Sequence, residues 1–122
     1  MYMSNNNAIL IMYALHVHVA FTISPSSQVV GVGQQAVFRC QNLDALVITW
    51  TVNETHVTSL IPHPDPGITI DMTIDENNEV VHILSIAAQS IFNETMIICI
   101  ANLMNETAPV KLFIQGEPAM YL

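Results

Sequence analysis

The stretch Ala36-Val37-Phe38-Arg39-Cys40-Gln41-Asn42-Leu43-Asp44-Ala45-Leu46-Val47-Ile48-Thr49-Trp50 decides the reading of this chain. Two runs alternate at period two around the polar break Asn42-Leu43-Asp44, and that period belongs to strands with one buried face. In the first run Ala36, Phe38 and Cys40 share the inward face and Val37 and Arg39 the outward one. In the second, Leu46, Ile48 and Trp50 share the core side. Cys40 and Cys99 are the only cysteines, and Trp50, the only tryptophan, stands ten residues after the first of them.

The same period extends through the rest of the body, and no helical period of useful length competes with it. Residues 24–30 contain Pro25 and read as an edge strand, where a missing N–H is tolerated; Gly31-Val32-Gly33 is the turn after them. Pro62-His63-Pro64-Asp65-Pro66-Gly67 is a loop, because three prolines remove ladder donors and fix φ. Ile68, Ile70, Met72 and Ile74 then alternate with Thr69, Asp71, Thr73 and Asp75 as a half-buried strand. After a turn at Glu76-Asn77-Asn78, residues 80–86 return with Leu84 and Ile86 facing in, and residues 89–93 cross between sheets. Residues 95–102 carry Cys99, and residues 109–115 close the body with Val110, Leu112 and Ile114 inward.

Phe38-Arg39-Cys40, Trp50, Leu84-Ser85-Ile86, and Cys99 followed by Ala101 together resemble the immunoglobulin superfamily, of intermediate or variable-like type. The resemblance implies an all-β fold: an immunoglobulin-like antiparallel β-sandwich with Greek-key connections and one inter-sheet disulfide between Cys40 and Cys99. Trp50, Phe38, Leu84 and Ile86 would be its core. Such a disulfide, closing a loop of about sixty residues, would stabilise the fold by roughly 4 kcal/mol in the chain-entropy model. Asn93 stands where the family usually has aspartate. Ile97 stands where it usually has the corner tyrosine, and Thr95 where it often has glycine, so the usual corner hydrogen bond is expected to be missing.

The N-terminal residues 8–23 are almost wholly apolar and lead into Ser24-Pro25-Ser26-Ser27. About 16 residues suit the apolar region of a secretory signal and are short for a membrane span of about 20. The front end, Met1 to Asn7, carries no Lys or Arg, so a retained anchor stays as an alternative to cleavage after Ala20. The expected organisation is a signal peptide at 1–20, one immunoglobulin-like domain at 21–116 and a C-terminal tail at 117–122. Three acceptor tripeptides, Asn53-Glu54-Thr55, Asn93-Glu94-Thr95 and Asn105-Glu106-Thr107, agree with an extracellular glycoprotein bearing N-linked glycans, either secreted or the ectodomain of a cell-surface protein.

Charge excludes several partner classes. Arg39 and Lys111 are the only strong cations against ten acidic residues, for a net charge of −8. A chain without a basic cluster cannot neutralise phosphates, which argues against nucleic acid and anionic lipid. Enzymatic readings are equally poor. His56, His63 and His82 lack metal-ligand spacing, and Asp71, Asp75, Glu76 and Glu79 lack the glycine-containing loop of a calcium site. The expectation is no enzyme, no metal, no cofactor and no membrane insertion of the mature chain.

Function is therefore expected at a surface. Met96, Ile98 and Ile100 alternate away from Cys99's face, Phe113 on the last strand points the same way, and Val47, Thr49 and Thr51 would join them. An exposed apolar sheet face of this kind suits a protein partner, homophilic or not, and hence recognition or adhesion. The alternative is a spacer domain of a larger receptor whose neighbour covers that face. Asn53 and Asn93 are expected at one end of the sandwich and Asn105 at the other.

Overall fold

The structure is a computed structural model and describes residues 21–116. The expected signal at 1–20 and tail at 117–122 lie outside these residues. Ten strands follow one another: β1 (Ile23–Ser24), β2 (Ser27–Gly31), β3 (Gln35–Cys40), β4 (Ile48–Val52), β5 (Thr55–Val57), β6 (Ile68–Ile74), β7 (Val80–Ala87), β8 (Thr95–Ala101), β9 (Asn105–Glu106) and β10 (Val110–Gln115). A single 3-10 turn, Ser90–Phe92, carries the chain from β7 to β8.

One sheet has the order β1-β3-β7-β6; the other runs β2-β10-β8-β4-β5, with β9 beside β8. Alternation explains why they pack. Ala36, Phe38 and Cys40 of β3 are buried while Gln35 and Arg39 are exposed, and Leu84 and Ile86 of β7 are registered against Phe38 and Ala36 on the same face. From the second sheet Trp50, Val52, Ile97, Cys99 and Leu112 point back at them. Burying one such Leu, Ile or Phe side chain is worth about 1.5–3 kcal/mol relative to leaving it in water. Cys40 and Cys99 are bonded across the two sheets with their Cα atoms 6.5 Å apart. Trp50 lies directly opposite Cys99 in the β4–β8 ladder, so the core triad is assembled as expected.

Three details depart from the sequence reading. The first strand is two: β1 pairs antiparallel with β3, and after the cis Ser24–Pro25 peptide β2 crosses to the other sheet and runs parallel to β10. Proline offers no N–H to either ladder, which suits it to the crossing. The second departure is Leu46, expected inward but 93% exposed because β4 begins only at Ile48. The third is β6, where Ile68 is buried and Ile70 half-buried, yet Met72 and Ile74 are each 62% exposed. This strand is the open edge of its sheet, and the facing sheet ends in β5, which is only three residues long. Alternation thus outruns the cover available to it.

Candidate interaction surface

The outer face of the second sheet is set by register. Opposite residues in antiparallel strands point the same way, so the pairs Thr49–Ile100, Thr51–Ile98 and Lys111–Met96 lie together on the side away from the disulfide. Phe113 joins them from β10 and is registered with Val29 of the parallel strand β2. The four expected contact residues therefore share one face, but they are not equally available. Ile100 is only 6% exposed: Thr49 of β4 and Glu106 of β9 flank it on both sides. Its side chain is therefore not accessible to a partner. Ile98 is half-buried, and Met96 and Phe113 are exposed. Thr49 and Thr51 are buried, while Val47 is exposed but lies before β4 begins.

Val29, 65% exposed, stands beside Phe113 at 38% on this outer face. Sequence reading missed it because a strand interrupted at Pro25 gives no hint that its second half changes sheet. Lys111 on this face approaches Glu94 at 3.8 Å, an exposed pair of the sort worth little to stability.

Toward one end of the face lies a shallow recess of about 140 Å³ lined by Thr51, Asn53, Glu54, Met96 and Ile98. Asn53 and Glu54 form the tip of the β4–β5 hairpin with φ of 48° and 70°, the pair of positive values that a type I′ two-residue turn requires. The Asn53 N–H donates to the Met96 carbonyl at 2.8 Å, and Met96 N–H donates to Asn53 Oδ1 at 2.8 Å. Asn93 is held similarly, accepting from the Ile114 N–H at 2.8 Å. Both stand at the start of β8, whereas Asn105 pairs with Ala101 at its end. The acceptor asparagines are all exposed and occupy the expected ends of the sandwich.

A second apolar surface, which the sequence did not advertise, gathers at the end of the sandwich that carries Asn105. Asn102 Oδ1 accepts from the N–H groups of Leu46 and Val47, at 2.9 and 3.2 Å, and Asn102 N–H donates to the Val47 carbonyl at 2.8 Å. These bonds join the loop between β3 and β4 to the β8–β9 hairpin. Leu43, Leu46, Leu103 and Met104 are all exposed there. Asn102 and Leu103 have φ of 54° and 61°; for leucine, with its Cβ and bulk, that is an unfavourable conformation.

Two histidines and an aspartate weighed for chemistry in the sequence, His63, His82 and Asp75, lie apart from one another. His63 Nδ1 accepts from Asp65 N–H at 2.9 Å within the proline loop. His82 stands opposite Cys40 on the inward row of β7, and burial lowers its pKa below the ordinary imidazole value. Asp75 closes the β6–β7 turn: its Oδ1 accepts from Asn77 and Glu79 N–H and its Oδ2 from Gln41. The Glu79 N–H, followed by the Gln41 amide, holds that carboxyl below its usual range. No helix among the described residues is long and apolar enough to cross a membrane.

No protein-family model matches the sequence, and no curated protein matches it at a significant level. Solved structures do. A chain from the crystal structure of Dpr2 Ig1-Ig2 in complex with DIP-Theta Ig1-Ig3 superposes with a TM-score of 0.59 at 19% identity, over 79% of this chain. The match covers 50% of that chain, so the present chain spans about half its length. As many as 387 solved chains match, and a fold so widely used carries architecture and not a task. Two sheets joined by Cys40–Cys99 over Trp50, together with this structural likeness, establish that the chain has an immunoglobulin-like fold.

Proposed function

We propose that this chain is an extracellular recognition domain that binds a protein partner through the outer face of its second sheet, centred on Phe113 and Val29. The observation carrying this reading is their register: two large apolar side chains stand side by side in solvent on adjacent parallel strands. Monomers rarely leave contiguous apolar area exposed without use, and interface cores favour aromatic side chains. The solved chain of like fold comes from a protein–protein complex, which supports a binding role for a domain of this shape. Secretion, by way of the apolar N-terminal segment, fits the disulfide and the three acceptor sequences.

Charge narrows the partner. A net charge of −8 makes face-to-face pairing of two copies repulsive and favours a partner with an apolar centre and a basic rim. The test compares secreted wild type with Phe113→Asp and Val29→Asp, measuring binding to an arrayed set of cell-surface ectodomains and mass by light scattering. Monomeric wild type whose binding to a basic ectodomain is lost in both variants is the expected result. A wild-type dimer dissolved by either substitution makes the contact homophilic. Binding untouched by both removes the face from consideration.

The end surface supports a second reading, because Asn102 ties the loop carrying exposed Leu46 to the hairpin carrying exposed Leu103 and Met104. Loss of binding in Leu103→Asp, with Phe113→Asp unaffected, would move the contact there. The spacer alternative, in which a neighbouring domain covers the sheet face, predicts that neither substitution changes partner binding.

A further inference from the structure

The recess on the outer face of the second sheet has in its wall a residue that begins an acceptor sequence, Asn53 of Asn53-Glu54-Thr55. Its Oδ1 is committed to Met96 N–H and its backbone N–H to the Met96 carbonyl, so the side chain is clamped and Nδ2 is the half of the amide left for a substituent. Thr55, whose hydroxyl an acceptor sequence requires, is exposed. The other two sequences differ: Thr95 and Thr107 are buried, with hydroxyls bonded to Phe92 and Cys99. Asn53 alone of the three keeps its full acceptor sequence accessible after folding.

We infer that the recess is the footing of an N-linked glycan on Asn53, whose first N-acetylglucosamine lies over Met96 and Ile98. The C–H face of a pyranose ring suits the thioether and the aliphatic side chain, while Thr51 and Glu54 supply polar edges. Attachment joins Nδ2 to the anomeric carbon of a polyprenyl-diphosphate-linked oligosaccharide. The bond from that carbon to the diphosphate oxygen breaks, the diphosphate leaves with the electron pair, and Nδ2 gives up one proton. The glycan then covers the Met96 end of the sheet face and leaves the Val29–Phe113 end open. Only the secretory route is borrowed from the proposed function; the partner is not.

The full chain is expressed in secreting animal cells as wild type and as Thr55→Ala, which removes the acceptor sequence while keeping the Asn53–Met96 hydrogen bonds. Peptide mass spectrometry reads glycan at Asn53, and dilute hydrogen peroxide reads the cover of Met96 through its sulfoxide, with exposed Met72 as internal reference. The expected result is a glycan on Asn53 and oxidation of Met96, relative to Met72, at least threefold slower in wild type than in Thr55→Ala. A secreted chain with Asn53 bare, or one glycosylated there with Met96 oxidised equally fast in both proteins, overturns the inference. A chain absent from the medium and bare at Asn53, Asn93 and Asn105 overturns the secretory reading as well, and is recognised by that pattern.

Discussion

The Thr95 hydroxyl donates to the Phe92 carbonyl at 2.6 Å, fully buried where the chain turns from the 3-10 segment into β8. In the immunoglobulin pattern a tyrosine side chain secures this corner; here Ile97, in that place, packs into the core, and the three-residue reach of Thr95 makes the tie instead. The corner bond expected to be missing has been replaced by a local one.

Thr95→Val is accordingly expected to destabilise the domain by about 1–3 kcal/mol, the cost of leaving a buried carbonyl unpaired. Thr95→Ser should retain most of the stability. Because Thr95 also completes the Asn93 acceptor sequence, the comparison is made by urea unfolding of refolded, unglycosylated protein. Equal midpoints for valine and serine variants would show that the bond contributes nothing.

The cross-link between the sheets should dominate covalent stability. With a sequence separation of 59, paired Cys40→Ala and Cys99→Ala substitutions are expected to cost about 4 kcal/mol, enough to unfold much of a small domain of marginal stability. Circular dichroism at 37 °C measures it; a cooperative melt within a few degrees of wild type would contradict the expectation.

Stability should fall with acid in two separate windows. His82 has a folded pKa lowered by burial, so the unfolded chain takes up the proton first. Stability is full above the ordinary imidazole value of about 6.5, declines as pH drops below it, and levels off from this group below the folded value. Asp75 acts lower: its stabilisation is present above the ordinary carboxylate range and is lost as pH falls through its depressed folded value. Urea midpoints of His82→Gln between pH 8 and pH 5 should be flatter than those of wild type. A slope as steep as wild type would assign the effect to another group.

Leu103 offers a test of strain against presentation. At φ of 61°, Leu103→Gly is expected to raise stability by about 1 kcal/mol, since glycine escapes the Cβ penalty of the left-handed region. If the end surface binds the partner, the same variant loses affinity while gaining stability, so thermal melts and binding are measured on one sample. A less stable variant would mean that the Leu103 side chain packs usefully where it stands.

Much of the fold was legible because its causes are local. Alternation in β3, β7 and β10 assigned Phe38, Leu84, Ile86 and Leu112 to the core, and the only two cysteines around the only tryptophan marked where the sheets are joined. The outward face of the second sheet was legible as a parity and not as an exposure: Met96, Ile98, Ile100 and Phe113 do lie on one side, yet Ile100 is covered because β4 and β9 flank it. Likewise Met72 and Ile74 obey the same alternation as Ile68 and remain in water.

By itself, then, the sequence determined the class of fold, the sheet-joining pair and which side of β3, β7, β8 and β10 faces inward, since a side-chain period of two follows from covalent geometry alone. Only the tertiary structure decided which outward residues are accessible, that β2 leaves β1 to lie beside β10, and that Asn102 draws Leu46 toward Leu103. Those outcomes depend on which strands end up as neighbours and where each sheet stops, and that is set by pairing between segments far apart in the chain.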